Sequence, residues 1–173
     1  MLNYRERLKN ITTFIFDYDG VLGGNIVAML DSGVVIRYSN VKDGYALQLA
    51  VKENYRIAII SGGYSESVTK RMELLGITDV YLNSKNKMSV YKEFIEKYNL
   101  KHEEILYMGD DIPDIEVMRC VGIAACPADA SDEIKEISNY ISPKNGGEGC
   151  VRDIIQQVLK VQGKWGTENS INW

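Results

Sequence analysis

The sequence predicts an α/β fold: a three-layer, mostly parallel sheet with helices on both faces and a β-hairpin flap after the first strand. Three observations predict it. Short runs rich in β-branched and aromatic residues alternate with longer segments of helical apolar spacing over most of the 173 residues. Strands joined by helical crossovers pair in parallel and are covered on both faces. Several apolar runs also stop abruptly at acidic or hydroxyl residues, as strands do at the carboxyl edge of such a sheet.

The elements follow in order. "TTFIF" (12–16) reads as a buried strand. "NIVAML" and "GVVIRYS", split by "DSG", read as a hairpin over about 25–39. "DGYALQLAVKEN" has the apolar spacing of a helix, and "RIAII" is the next strand, running into "SGG". "SESVTKRMELLG" is a helix with a serine cap and a glycine stop, followed by a short strand, "DVYL". "KMSVYKEFIEKYNL" places Val90, Phe94, Ile95 and Tyr98 on one helical face. "EILYMG" is a strand that stops at "DD". "IEVMRCVG" is then a helix, "GIAAC" a strand and "ASDEIKEIS" a helix. "GCVRDIIQQVLKVQ" closes the chain's periodic part, and only the tail after about Gln162 lacks a pattern. The division that follows is one domain over 1–162 and a C-terminal tail over 163–173.

Composition narrows the function. A 45% hydrophobic and 25% charged chain of this length builds an ordinary packed core. The net charge of −4, with no basic stripe, gives no reason to expect nucleic acid. No apolar run approaches the roughly 18 residues of a membrane span, and the first ten residues do not read as a secretory signal. Cys120, Cys126 and Cys150 are odd in number and lack metal-site spacing, so reduced thiols in a cytoplasm are expected. His102 is the single histidine and lies in a polar turn, which argues against chemistry that needs a histidine base.

Four strand ends carry useful chemistry: Asp17 and Asp19 after the first, Ser61 after "RIAII", Lys87 beyond "DVYL", and Asp110 with Asp111 after "EILYM". An aspartate at a strand end is also an ordinary helix cap, so the weight lies on the set at one sheet edge. Asp17, Asp19 and Asp110 make an oxygen-rich site without soft ligands, which suits Mg²⁺. The Ser61 hydroxyl with the Gly62 amide suits a phosphoryl group, and Lys87 adds positive charge. Such parts fit phosphoryl transfer, in which catalysis is largely positioning and charge neutralisation. Asp17 is the expected nucleophile. Asp19, two residues on and facing the same way on an extended backbone, is the expected acid and base, with Ser61 and Lys87 completing the catalytic set.

These residues resemble the haloacid dehalogenase superfamily of phosphatases. Its D-x-D-G motif is "DYDG" (17–20), its strand-end Ser/Thr is Ser61, its lysine is Lys87, and its G-D-D-x-x-D motif is "GDDIPD" (109–114). Within it, "YSNVKDGYALQLA" and "GGEGCVRD" resemble segments of the capless 3-deoxy-D-manno-octulosonate 8-phosphate phosphatases. The resemblance implies a Rossmann-like domain and Mg²⁺ held by Asp17, the main-chain carbonyl of Asp19, and Asp110. It implies Asp111 and Asp114 as supports. It implies substrate contacts from Asn40, Val41, Lys42, Asp43, Gly44, Gln48, Gly62, Arg71 and Lys87. The substrate would be a phosphorylated eight-carbon sugar acid, hydrolysed through an aspartyl phosphate during lipopolysaccharide synthesis. Many members carry T-G-R where this chain has Ser61-Gly62-Gly63, Glu148 replaces a frequent arginine, and "VLTDG" reads "VLGGN".

Neither Gly20–Ser61 nor Ser61–Lys87 leaves room for an inserted cap domain, which needs about 40–50 residues or more. A neighbouring subunit is the expected lid, in a homotetramer that the capless relatives share, with the apolar hairpin packed between subunits. The tail, with Trp165 and Trp173, is expected either to be disordered or to fold over an active site. Two other functions stay open: a phosphatase of a nine-carbon sugar-acid 9-phosphate, and, more remotely, a receiver module that keeps its phosphoaspartate. A non-catalytic subunit is disfavoured because all four catalytic positions are filled.

Overall fold

A computed structural model describes residues 4–171. α1 (Tyr4–Arg7) and a 3₁₀ turn (Leu8–Asn10) lead into β1 (Thr13–Phe16). The flap follows as β2 (Ala28–Met29) and β3 (Val35–Ile36), and then come α2 (Val41–Lys52), β4 (Arg56–Ile60), α3 (Glu66–Leu74) and β5 (Asp79–Tyr81). The second half holds α4 (Lys87–Tyr98), β6 (Ile105–Met108), α5 (Ile115–Met118), β7 (Ile123–Cys126), α6 (Asp132–Ile137), β8 (Tyr140–Ile141) and α7 (Cys150–Val161).

Six strands form one parallel sheet in the order β5-β4-β1-β6-β7-β8, and β2 and β3 form a separate antiparallel pair. β1 is central because both neighbours pair along its whole length, Phe14 opposite Ile57 and Leu106. Its side chains alternate between two cores. Phe14 and Phe16 pack with α2, α3 and α7, while Ile15 packs with α4, α5 and α6. A strand buried on both sides reads as a continuous apolar run, which is why the sequence signal was strong here.

The expected fold class and the lack of an inserted cap agree with this architecture. Several elements differ in extent. The hairpin is only two residues per strand, closed by a turn in which Gly33 takes a left-handed φ of +81°. α5 is four residues because a 3₁₀ turn over Ile112–Asp114, with Pro113 inside it, uses the preceding residues. α1 and β8 were not expected, being too short to show a period.

As far as Ile171 the tail packs on its own chain, away from that chain's own acidic strand ends. Trp165 meets Tyr45 edge-on at 6.2 Å, with the Arg152 guanidinium 5.2 Å from the indole. Lys164 Nζ donates to the Glu53 carbonyl, and Thr167 and Asn169 donate to the Glu53 carboxylate. The segment is therefore docked on α2 and α7 of its own chain, because its aromatic and polar groups find partners there. Trp173 lies outside the described residues.

Candidate active site

The carboxyl edge of the sheet forms one cavity of about 1050 Å³, lined by Asp17, Asp19, Ser61, Gly62, Gly63, Lys87, Asp110, Asp111 and Asp114, and by Arg37 from the flap. The sequence thus brought its catalytic set, its metal set and its two supports to one place.

Asp17 is the first residue beyond β1, and its amide still donates to Met108 of β6. Its Oδ1 accepts from the Tyr18 amide at 2.6 Å, and its Oδ2 accepts from Lys87 Nζ at 2.6 Å. Asp17 (φ −68°, ψ 165°) and Asp19 (φ −70°, ψ 125°) both keep extended dihedrals, as expected, and the chain turns at Gly20 before it closes the coil that ends at Leu22. Tyr18 turns into the core and its hydroxyl meets Ser39 Oγ at 2.8 Å, tying the flap's exit to the end of β1. Gly20 is required twice over. Its φ is +84°, and a Cβ there would lie 2.0 Å from Asp110 Oδ2.

Asp114 is fully buried and its four acceptor directions are occupied. Oδ1 takes Lys87 Nζ at 2.6 Å and the Tyr107 hydroxyl at 2.5 Å, while Oδ2 takes the amides of Asp110 and Asp111. It can reach this position because Gly109 has no side chain; a Cβ would stand 2.4 Å from the Asp114 carboxyl carbon. Asp111 caps the following turn through Ile112 N. The Asp110 carboxylate carries no hydrogen bond or ion pair among the described residues and faces the cavity. Just beyond β4, Ser61 Oγ accepts from Gly63 N at 3.3 Å, and its backbone joins both Tyr81 and Ser84, fixing the loop.

Carboxylate oxygens of Asp17, Asp110 and Asp114 lie within 4.8 Å of one another. Against them stands the Lys87 ammonium, leaving two net negative charges in a cluster of which Asp17, Lys87 and Asp114 are buried. Burial, with Asp114 close by, pushes the Asp17 carboxyl up to about 6 despite Lys87. Burial, then Asp17 and Asp114, pushes Asp110 up to about 7. Burial pulls the Lys87 ammonium down, but Asp17 and Asp114 outweigh it and its net shift is upward. Hard oxygen donors with an unbalanced double charge fit one divalent cation of the Mg²⁺ type. Asp17 and Asp110 are the donors it would use. Asp19 offers only its carbonyl, because both its carboxylate oxygens are held by Arg37.

Arg37 is the site residue that sequence reasoning missed. Its Nε lies 2.7 Å from Asp19 Oδ1 and its Nη2 3.0 Å from Oδ2. A signal existed in "GVVIRYS": Ile36 and Tyr38 face out while Arg37 between them points in, the reverse of ordinary burial.

The expected substrate contacts of α2 are placed elsewhere. Asn40 caps α2 through Lys42 N, and its Nδ2 donates to the Gly147 carbonyl. Asp43 is buried and accepts from Arg152 N at 2.6 Å. Gly44 packs under Arg71 Nη2, and these two line a small pocket behind Tyr18 with Asn40 and Asp43. None of Asn40, Val41, Lys42, Asp43, Gly44, Gln48 or Arg71 lines the acidic cavity of its own protomer. The physical reason is that α2 lies behind the β1 edge, with Tyr18 between it and the acids. The segments around "NVKDG" and "GGEGCVRD" instead bind each other.

Comparison with known proteins gives four findings. A haloacid dehalogenase-like hydrolase family model matches residues 42–154. The 3-deoxy-D-manno-octulosonate 8-phosphate phosphatase of Escherichia coli K12 is 34% identical over 158 residues, covering 91% of this chain and 84% of that protein. The crystal structure of the enzyme of that name from Yersinia pestis superposes with a TM-score of 0.90 at 31% identity, covering 92% of this chain and 86% of that one. The Moraxella catarrhalis enzyme, in complex with a magnesium ion, a phosphate ion and a KDO molecule, also gives 0.90, at 28% identity, covering 93% and 92%.

Proposed function

The chain belongs to the haloacid dehalogenase-like hydrolases, and from that premise we propose that it is the Mg²⁺-dependent phosphatase of 3-deoxy-D-manno-octulosonate 8-phosphate, yielding the free sugar acid and phosphate. The observation that carries this is the conjunction of Asp17, Lys87 and Asp110 in one cavity with an E. coli relative of that activity aligned over 91% of the chain.

The roles follow from the geometry. Asp17 attacks phosphorus and forms an aspartyl phosphate; protonated Asp19 gives its proton to the departing sugar oxygen. A water then attacks phosphorus, Asp19 takes the water's proton, and Asp17 and phosphate are released. Lys87 keeps Asp17 anionic and Asp114 holds Lys87 in place. Ser61 and the Gly62 amide cradle the phosphoryl oxygens. Asp17 and Asp110 would hold Mg²⁺, which would supply neutralising charge; two like charges about 4 Å apart otherwise repel by roughly 4 kcal/mol each pair at an effective dielectric near 20. A receiver module has no use for Asp19, since it must preserve its phosphoaspartate.

A homotetramer working in the cytoplasm, in lipopolysaccharide precursor synthesis, is part of the same proposal. In support, the flap exposes Ile26 and Met29 at 84% and 71%, with Leu30, Val34 and Tyr38 beside them. Such a contiguous apolar face belongs in an interface. The residues of α2 that miss their own cavity then serve a neighbour's site or the fold alone. Likewise 1–162 acts as one domain and 163–173 as its tail.

The experiment is a panel of phosphate esters assayed with Mg²⁺. The eight-carbon sugar-acid phosphate should give the highest kcat/KM, and chelation should abolish turnover. Preference for a nine-carbon 9-phosphate would move the substrate assignment. Inertness toward the whole panel would remove the enzyme reading. Sedimentation of fully active protein as a monomer would refute the tetramer.

A further inference from the structure

We infer that Arg37 is the carboxylate receptor of this active site: its guanidinium holds Asp19 in the free enzyme and passes to the carboxylate of the sugar acid when substrate enters. This deepens the proposed function and rests on its substrate class.

Gly63 is the first observation. It lies in the loop that ends β4, and its φ is not among the left-handed values, so backbone geometry does not ask for glycine. Space does. A Cβ at position 63 would lie 2.7 Å from Arg37 Nη2 and 2.7 Å from Asp19 Oδ2. The flap arginine therefore fills the volume that a side chain at position 63 would fill, and the missing basic group of that loop is supplied from 26 residues earlier.

The second observation is the pairing itself. Both nitrogens of the fork meet both oxygens of Asp19, at 2.7 and 3.0 Å. Both oxygens of Asp19 are taken by the fork, so Asp19 can meet the departing sugar oxygen only when Arg37 gives up at least one of them. The fork needs another anion to leave for, and a planar two-point donor fits a second carboxylate as well as the first.

The third observation is direction. Phosphoryl oxygens are served on the Lys87, Ser61 and Gly62 side of the cavity. Asp19 is the acid of the leaving group, so its partner Arg37 faces the sugar. The Arg37 side chain is 12% exposed, against 37% for Asp19, and its Nη1 also reaches the Tyr64 carbonyl at 3.4 Å. Pinned by Tyr18 to Ser39 nearby, the flap's exit holds the guanidinium at the cavity rather than in solvent.

The test compares the eight-carbon sugar-acid phosphate with p-nitrophenyl phosphate, which has no carboxylate and needs no proton on its leaving group. In Arg37→Ala, the ratio of kcat/KM for the two substrates should fall about 10–100-fold, the scale of one charge-assisted contact, chiefly through KM of the sugar acid. Arg37→Lys should recover only part of the ratio. Gly63→Arg alone should damage the enzyme through the clash, and Arg37→Ala with Gly63→Arg should exceed either single variant on the sugar acid. A wild-type preference for the sugar acid that persists in Arg37→Ala overturns the inference while leaving the proposed function standing. A wild type with no such preference overturns the substrate assignment, and the receptor with it.

Discussion

Lys87 Nζ stands 2.6 Å from Asp17 Oδ2, joining the first turn of α4 to the end of β1 across 70 residues of sequence. The ammonium also holds Asp114 at 2.6 Å, so one buried cation balances two buried carboxylates. Lys87→Met keeps the stem and removes the charge. It should lower kcat by about 10²–10³-fold, as loss of a preorganised electrostatic group does. It should also destabilise the metal-free protein by about 3–5 kcal/mol, since the acids are left unpaired in the interior. Urea unfolding in a chelator and steady-state assays in Mg²⁺ measure the two effects. A variant within threefold of wild-type activity would contradict the role given to Lys87.

Cation binding should expel protons. The folded values of Asp17 and Asp110, about 6 and about 7, are raised above the ordinary 3.8, so the metal-free native state binds more protons than the unfolded chain over roughly pH 4–7. Their contribution to stability is greatest below that window and is lost as pH rises through it. A divalent ion replaces those protons. The gain in Tm from Mg²⁺ should therefore be small at pH 5.5 and larger at pH 7.5. Calorimetric titration at pH 6.5 in two buffers of different ionisation enthalpy should report proton release. A pH-independent Tm gain would show that the ion binds elsewhere.

Gly20→Ala should weaken metal binding without unfolding the chain. The methyl group would take the position of Asp110 Oδ2, 2.0 Å away, and a left-handed residue other than glycine adds a cost of about 1–2 kcal/mol. Asp110 has to move, and it is the donor that lacks a protein partner. The Mg²⁺ concentration for half-maximal activity should rise at least tenfold while far-UV circular dichroism stays unchanged. Unaltered metal dependence would mean that Asp110 is not a ligand.

How much of this was legible in the sequence depends on how local each cause is. Asp17, Ser61 and Asp110 could be read because each closes an apolar strand, and strand ends of a parallel sheet share one edge. Gly20 and Gly109 were visible only as motif letters; the reasons, Asp110 and Asp114 standing where a Cβ would go, are long-range or turn geometry. Arg37 escaped because its partner Asp19 is reached only when the flap folds back. The segment from Asn40 to Gly44 stood out in the sequence, and within its own protomer its polar partners are Gly147 and Arg152 rather than the acidic cavity. Its polar residues face α7, and no sequence period tells which buried surface a capped helix start will meet. β8 and α1 are too short to leave a pattern at all.

Asp43 shows what that segment does and yields the remaining prediction. Its Oδ1 accepts from Arg152 N at 2.6 Å, which places a carboxylate at the amino end of α7 and ties α2 to it. A negative charge there is favourable to the helix. Yet its Oδ2 is buried with no hydrogen-bond partner among the described residues, and burial pushes the carboxyl up to about 6. Because the folded value lies above the ordinary 3.8, this group contributes most to stability when protonated, and that contribution is lost as pH rises from about 4 through 6. The loss is on the order of 2–3 kcal/mol at 1.36 kcal/mol for each pH unit. Asp43→Asn keeps an acceptor for Arg152 N and cannot ionise. Its unfolding free energy, measured by urea at pH 5 and pH 7.5 with chelator present, should fall less than that of wild type over the same interval. If the two proteins lose equal stability, Asp43 is already solvated in the folded state, and the link between α2 and α7 must rest on Asn40 and Gly147 instead.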